Sequence, residues 1–350
     1  MRRLPVFFVI DCSESMVGQP LQAVQEGVDF IMNSLRTDPY ALETVYVSVI
    51  AYAGIVRTLV PLTELFAYQA CELPLGGGTH LGKALDHLAK EIERSVIKTT
   101  ADVKGDWKPV VYLFTDGRPT DDYEGAISRW KAKYENKVTL VAIGLGQDVD
   151  FSILKRLTEH CISVDQIDQD YVKNLCKWIS ASVVSQSISV GQHQDRQDLL
   201  PLDERYMHLA KQRLTFRKSK ADDRTVTIVG RCQKLHHPYI LKYSRRLQYG
   251  ELSDLNINIY NFKLEACTGI SEDYFSWTDH AAEKAKINTS VLDGSAGCPH
   301  CYAETAFAMC ACGSLMCYDG YSEYAVCPWC QRQISFSVSG GDFDLTRGQG

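Results

Sequence analysis

The chain has 350 residues, which is longer than one ordinary domain and suggests about two or three domains. It is 45% hydrophobic and 23% charged, as globular proteins are, and its net charge of -6 gives no general reason to expect a nucleic-acid partner. The apolar run after Arg3 is interrupted by Asp11, so it is too short for a signal peptide, and no later run is long enough to span a membrane. We therefore expect a cytoplasmic protein without a membrane partner.

Up to about residue 185, short β-branched runs alternate with longer segments of helical periodicity. The predicted strands are apolar almost throughout, which is typical of parallel strands that are buried on both faces. Residues 1–185 are therefore predicted to form an α/β domain with a doubly wound, mainly parallel, Rossmann-like sheet, whose ligand site lies at the carboxyl ends of its strands. In chain order, the predicted elements are the strand PVFFVID, the helix LQAVQEGVDFIMNSLR, the strand TVYVSVIAYA, the helix HLGKALDHLAKEIERSV, the strand PVVYLFTDG, the helix YEGAISRWKAKYE and the strand KVTLVAIGLG.

The pattern changes in the second half of the chain. Residues 186–224 are polar and increasingly basic, and we predict a linker there that holds at most one short helix. Residues 225–350 contain short strand patterns and little helix, so a second, smaller, β-rich domain is predicted. Its predicted strands are TVTIVG, YILKYSRRL and NINIYNF.

Five residues with oxygen-bearing side chains stand at the expected ligand edge of the first domain. Asp11 ends the first strand, Ser13 and Ser15 follow it, Thr79 precedes a helix, and Asp116 ends a later strand. Carboxylate and hydroxyl oxygens are hard ligands suited to Mg²⁺ or Mn²⁺, and so few charges leave coordination positions for water or an acidic group. The five residues are therefore predicted to form a cation site. The alternative for the serines and for Thr79 is that they cap the following helices, which for Thr79 is compatible with metal binding.

These residues resemble the metal-ion-dependent adhesion site of von Willebrand factor A (vWA) domains, where the DxSxS motif corresponds to Asp11, Ser13 and Ser15 and is followed by Thr79 and Asp116. The resemblance covers about residues 1–185. It implies a vWA fold and a metal whose coordination is completed by a carboxylate of a partner, so that the domain binds proteins and does not catalyse a reaction. Glu14 occupies a position often held by Gly in that motif, a difference that removes no ligand.

Nucleotide binding and metal-dependent hydrolysis are weaker alternatives. The segment Gly77 to Lys83, GGTHLGK, has the spacing of a phosphate-binding loop, but Ala84 stands where the Mg²⁺-binding Ser or Thr belongs, and the preceding CELPL is a poor buried strand. A metal-dependent phosphohydrolase would use the same cation to activate water. Against it, Ser13 stands where a haloacid-type site has a second Asp, and no obvious general base accompanies the motif. We therefore expect no enzymatic activity.

The seven cysteines from Cys298 to Cys330 indicate metal. The pairs CPHC (Cys298, Cys301) and CPWC (Cys327, Cys330) have the spacing of zinc knuckles and predict a structural Cys₄ site for Zn²⁺. His300 lies inside a knuckle and is predicted not to be a ligand, because the flanking thiolates already supply the pair. A redox role is the main alternative for CxxC pairs, but pairs outside a thioredoxin-like βαβ pattern favour metal.

Further cysteines leave the ligand grouping open. Cys310, Cys312 and Cys317 lie between the two knuckles, so a second zinc ion or a different grouping is an alternative to the single site. Cys232 and Cys267 stand alone, and the sequence assigns no role to either.

The order of modules resembles TerY-type proteins associated with tellurite resistance, in which a vWA domain precedes a cysteine-rich, zinc-ribbon-like domain. The C-terminal resemblance covers about residues 225–350 and rests on CPHC, CACG, CPWC and the tail GGDFDLTRGQG. It implies a scaffold whose partners are a protein kinase and a protein phosphatase of a phosphorylation system.

A nucleic-acid-binding zinc protein is the remaining alternative. It would use the zinc module and the basic end of the linker, which includes Arg217 and Lys220. Because Asp222 and Asp223 follow at once, this stretch is more typical of a solvated segment, and the sequence argues against a nucleic-acid partner.

Overall fold

The structure, a computed structural model, describes the chain in eight ranges: residues 2–116, 118–146, 149–191, 199–210, 224–247, 260–281, 285–335 and 342–348. The chain divides into two compact units. The first comprises Met1–Pro74 and Thr79–Lys218, and the second comprises Leu75–Gly78 and Ser219–Gly350. The main division thus falls inside the segment that was predicted to join two domains.

The first unit contains a seven-stranded sheet covered by helices on both faces. Its strands are β1 (Leu4–Asp11), β2 (Val45–Tyr52), β3 (Val56–Glu64), β4 (Val110–Thr115), β5 (Thr139–Leu145), β6 (Cys161–Val164) and β7 (His208–Leu209). Its helices are α1 (Gln19–Arg36), α2 (Pro39–Thr44), α3 (Leu81–Ser95), α4 (Glu124–Tyr134), α5 (Phe151–Leu157) and α6 (Gln169–Gly191), with 3-10 turns at Glu14–Met16 and Leu65–Ala67.

The strand order β3-β2-β1-β4-β5-β6-β7 confirms the predicted doubly wound sheet. β1 pairs in parallel with β2 and β4, and β5 pairs in parallel with β4 and β6, whereas the edge strands β3 and β7 are antiparallel to their neighbours. From β1 the chain adds β2 on one side and β4 on the other. The strand order therefore reverses between β1 and β4, and a crevice forms beyond their carboxyl ends.

Apolar side chains of alternate residues fill both faces of this sheet. On one face, Phe7 of β1 packs in a buried cluster with Leu88 of α3. On the other face, Phe114 of β4 lines a cavity of about 10 Å³ together with Val28 of α1 and Cys176 of α6. Burial on both faces explains why the strands are apolar throughout.

Helix α6 continues to Gly191, past the predicted domain boundary at residue 185. Its second half stays packed, because Val183 is fully buried and the Ser187 hydroxyl lies 2.6 Å from the Thr44 hydroxyl of α2. Strand β7, also inside the predicted linker, adds to the sheet edge at β6. Residues 192–198 and 211–223 of the predicted linker lie outside the described residues.

The second unit is β-rich, as predicted. Its main sheet has the order β12-β10-β9-β8-β14-β13, and two two-stranded sheets pair β11 with β17 and β15 with β16. The predicted strands TVTIVG and YILKYSRRL correspond to β8 and β9, whereas only the end of NINIYNF lies in the described residues, where it begins β10. The elements are β8 (Thr225–Arg231), β9 (Pro238–Leu247), β10 (Tyr260–Gly269), α7 (Tyr274–Trp277), β11 (Lys286–Asn288), β12 (Leu292–Asp293), β13 (Thr305–Met309), β14 (Leu315–Tyr318), β15 (Tyr324–Val326), β16 (Gln333–Ser335) and β17 (Asp344–Thr346).

Tyr239 of β9 fills the centre of the second unit. Its side chain is fully buried, and its hydroxyl donates to the backbone carbonyl of Ala306 at 2.5 Å. The hydroxyl end of the ring lies close to Gly230 of β8, where an added Cβ would come within 2.3 Å of the ring carbon Cζ. Gly230 is therefore required by the packing of the tyrosine ring.

We predict that Gly230→Ala lowers the free energy of unfolding of the second unit by about 1–3 kcal/mol, the usual cost of overpacking a core. Urea unfolding followed by tryptophan fluorescence measures this change. Gly125→Ala in α4 is the control, because its added methyl group meets only the flexible end of Arg129 at 3.1 Å. Replacing Tyr239 with Leu should reduce the cost of Gly230→Ala, and an undiminished cost would contradict the proposed contact.

Candidate functional site

The Asp11 carboxylate is buried at the carboxyl end of β1. Its Oδ1 accepts a hydrogen bond from the backbone N–H of Ser13 at 3.0 Å, and its Oδ2 accepts one from the Thr115 hydroxyl at 2.8 Å and a longer one from the Tyr52 hydroxyl at 3.4 Å. These donors are neutral, and within the described ranges no ion pair involves Asp11. Burial raises the pKa of Asp11, and the hydrogen bonds offset this effect only in part.

The two serines of the motif connect Asp11 to Asp116. The hydroxyls of Ser13 and Ser15 lie 3.0 Å apart, and the Ser15 hydroxyl donates to Oδ1 of Asp116 at 2.9 Å. Both serines are buried, whereas Asp116 is half-buried. Ser13 is the N-cap of a 3-10 turn, but its side chain makes no capping hydrogen bond. The structure thus brings four of the five predicted residues into one hydrogen-bonded group.

Thr79, the fifth predicted residue, is buried just before α3. Its backbone N–H donates to the Thr120 hydroxyl and its carbonyl accepts from the Thr120 N–H, each at 2.9 Å. The next residue, His80, donates its N–H to the carbonyl of Ala53 at 3.0 Å. These contacts hold Thr79 between the loops that follow β2 and β4, at the edge where Asp11 and Asp116 lie. His80, not Thr79, is the N-cap of α3.

A carboxylate lies at the start of α3, where a phosphate-binding loop would bind its ligand. The two oxygens of Asp121 accept the backbone N–H groups of Gly82 at 3.2 Å and Lys83 at 2.9 Å. Because these amides are already paired with a carboxylate, the GGTHLGK segment is not arranged to hold a phosphate.

The residues around Asp11 fit a hard divalent cation. Two carboxylates and three hydroxyls are oxygen ligands of the kind that Mg²⁺ and Mn²⁺ prefer. A buried carboxylate that has only neutral donors is also costly, and a bound cation would offset that cost. The chemistry of the donor set therefore agrees with the predicted site, while the binding of an ion there and its identity stay predictions.

Eight cysteines of the second unit form two groups of four, and within each group every sulfur lies within 4.8 Å of the others. We call Cys232, Cys298, Cys301 and Cys317 the sheet cluster, and Cys310, Cys312, Cys327 and Cys330 the hairpin cluster. The single site predicted from Cys298, Cys301, Cys327 and Cys330 is therefore wrong in its grouping, because the two knuckles belong to different clusters.

Strand pairing explains the regrouping. β14, which contains Cys317, pairs in parallel with the end of β8, and Cys232 follows β8 directly. Cys310 and Cys312 instead lie in the turn between β13 and β14. The β13–β14 hairpin thus supplies cysteines to both clusters. His300 belongs to neither cluster, and its Nε2 lies 2.9 Å from the carbonyl oxygen of Pro238.

The spacing of the sulfurs fits a tetrahedral ion. Four thiolates at about 2.3 Å from Zn²⁺ would lie about 3.8 Å from one another. In the sheet cluster Cys301 and Cys317 are 3.7 Å apart, and in the hairpin cluster Cys312 and Cys327 are 3.9 Å apart. All thirteen cysteines are free thiols, so the clusters are not disulfides. Burial opposes ionisation of Cys312, but hydrogen bonds, chiefly from Ser314, lower its pKa to about 7.

Cys232 starts a knuckle that sequence spacing did not reveal. In the described residues, the non-glycine residues with positive φ are His236, Tyr302 and Gln331, at 59°, 59° and 60°. Each lies four residues after a cysteine and donates its N–H to the carbonyl of that cysteine at 2.9–3.0 Å. The segment from Cys232 to His236 thus has knuckle geometry, although Leu235 stands at the second ligand position. Cys317 supplies the missing thiolate from β14.

Two family models match this chain. The von Willebrand factor type A domain matches residues 6–178, and the TerY-C metal binding domain matches residues 222–350. Solved structures with a similar fold include a von Willebrand factor type A protein from Catenulispora acidiphila (17% identity, 52% of this chain and 43% of that chain, TM-score 0.42) and the SpRpn10 VWA domain (17% identity, 49% and 95%, TM-score 0.37). Within the described ranges, every helix is too short or too polar to cross a bilayer.

Two relatives from Mus musculus have similar sequences. Matrilin-2 is 29% identical over 160 residues, which are 42% of this chain and 15% of matrilin-2. Inter-alpha-trypsin inhibitor heavy chain H2 is 30% identical over 169 residues, which are 44% of this chain and 16% of that protein. The chain thus spans about a sixth of the length of each relative.

Because the two family models match in this order, residues 6–178 of this chain belong to the von Willebrand factor type A family and residues 222–350 to the TerY-C metal binding domain family, in the order of a TerY-type protein.

Proposed function

We propose that this chain is a non-enzymatic scaffold that binds a protein partner through a divalent cation at the carboxyl edge of its first sheet. The observation that carries the proposal is the buried Asp11 carboxylate, which has only neutral donors and stands beside the hydrogen-bonded series Ser13, Ser15 and Asp116. Together with Thr79, these residues would hold Mg²⁺ or Mn²⁺ and leave a coordination position for an acidic side chain of the partner.

The second unit has a structural role in this proposal. Each Cys₄ cluster would hold one Zn²⁺ whose four protein ligands leave no position for substrate. The ions would stabilise a β-rich unit that presents its surface to further partners. Resemblance to TerY-type proteins supports a protein kinase and a protein phosphatase as those partners, and a role in tellurite resistance. Thirteen free thiols favour a reducing, cytoplasmic location.

Asp11→Asn is expected to weaken Mn²⁺ binding by about tenfold or more, because a charged ligand is replaced by a neutral one of the same size. Electron paramagnetic resonance of free Mn²⁺ during titration measures the affinity. Mn²⁺ should also raise the melting temperature of the wild-type chain and leave that of the variant unchanged.

The matched control for this experiment is Asp122→Asn, which changes an exposed carboxylate in the loop that follows β4. It should bind Mn²⁺ as the wild type does. Equal weakening by both substitutions would indicate nonspecific attraction to acidic loops, and unchanged binding by Asp11→Asn would exclude Asp11 as a ligand.

The purified chain is expected to contain about two zinc ions, one for each Cys₄ cluster. Cys232→Ala should remove one of them, because it leaves the sheet cluster with three thiolates. Cys267→Ala is the control, since Cys267 lies outside both clusters and its sulfur contacts the carbonyl of Gly297 at 3.7 Å. Elemental analysis by mass spectrometry gives the stoichiometry. Retention of both ions by Cys232→Ala would contradict the grouping.

A further inference from the structure

The cysteines differ in solvent exposure. All thirteen lie in the described part of the chain, and Cys312 alone is exposed, while the others are buried or half-buried. Burial also raises the pKa of Cys161 and Cys176 to about 12, which keeps these thiols protonated and unreactive. Cys312 is therefore the cysteine that is most accessible to a reagent in solution.

The two clusters also differ in the core that surrounds them. The sheet cluster belongs to a core of twelve buried residues, among them Tyr239 and Leu241. The core around the hairpin cluster has four buried residues, and two of these, Cys310 and Cys327, are themselves predicted ligands. So small a core cannot order the β15–β16 hairpin alone, and the metal would supply the rest of the stability.

We propose that Cys312 is an oxidation site through which a hydroperoxide releases the zinc ion of the hairpin cluster while the sheet cluster keeps its own. This inference rests on the proposed zinc sites. Its basis is the exposure of Cys312, the 3.9 Å separation of its sulfur from that of Cys327 and the small core around both.

The chemistry takes two steps. The Cys312 thiolate attacks the hydroperoxide: a sulfur–oxygen bond forms, the oxygen–oxygen bond breaks, and the sulfur is oxidised by two electrons to sulfenic acid. The leaving alkoxide takes a proton from water and becomes an alcohol, or water when the oxidant is hydrogen peroxide. The Cys327 thiolate then attacks the sulfenic sulfur, a disulfide forms, and hydroxide leaves and is protonated to water. Two of the four thiolate ligands are consumed, and the ion is released.

Trp329 provides an optical signal for this event. It lies in the knuckle between Cys327 and Cys330, and its indole N–H donates to the carbonyl of Leu315 at 2.8 Å. The guanidinium of Arg231 stacks on its ring at 4.7 Å, and the Phe275 ring meets it edge-on at 5.9 Å. Opening of the β15–β16 hairpin would remove these contacts, so the fluorescence of Trp329 should change with zinc release.

The test treats the zinc-loaded full chain with hydrogen peroxide and follows zinc release with a chelating dye, tryptophan fluorescence and peptide mapping. One of the two ions should leave first, together with a disulfide that contains Cys312. Cys312→His keeps four ligands but removes the exposed thiolate, so the first release should slow about tenfold. The matched variant Cys301→His, in the sheet cluster, should leave the first release unchanged.

Simultaneous loss of both ions, a first disulfide without Cys312, or equally fast release from Cys312→His would overturn the proposal. If Cys312→His fails to bind its second ion, the peptide map of the wild-type chain decides the question alone. A chain that contains no zinc before oxidation would overturn the zinc assignment itself, an outcome distinct from two bound ions that leave together.

Discussion

The structure of the first unit depends on one constraint: a carboxylate, Asp11, is buried at the end of a central strand and has only neutral hydrogen-bond donors and no ion pair among the described residues. Such a group is costly unless an opposite charge reaches it. The sheet order places the end of β4 beside the end of β1, which brings Asp116 and the motif serines to the same crevice. A divalent cation there would neutralise the charge of Asp11. The positive charge of the same cation would attract an acidic side chain of the partner.

The second unit has a different constraint, because its hydrophobic core is small. Its strands are short, and eight of its cysteines lie in two clusters whose metal ions would hold the strands together. Where the sheet cluster lies, Tyr239 and its neighbours add apolar burial, so metal and core would stabilise the same region. Where the hairpin cluster lies, metal would carry most of the stability. The two clusters therefore differ in their expected response to metal loss, although their ligands are identical.

The sequence predicts those features that are local or that follow from strand order. The parallel strands were recognisable because they are apolar on both faces, and Asp11 and Asp116 because they end such strands. The edge strand β3 was missed, since half-exposed residues weaken its pattern. Helix α6 is not among the predicted helices, and the predicted boundary at residue 185 falls inside it, because polar residues such as Ser187 are buried on it through contacts distant in sequence. Cys232 was missed because strand pairing between β8 and β14, not spacing, brings it to Cys317.

We propose above that oxygen ligands from distant parts of the chain converge on one divalent ion, separate from the two thiolate sites. Crystals of the full chain grown with Mn²⁺ and measured at the manganese and zinc absorption edges test this directly. We expect one manganese peak in contact with Asp11 and Asp116 and two zinc peaks in the cysteine clusters. A map without manganese at Asp11, or with manganese bound elsewhere on the first unit, would contradict it.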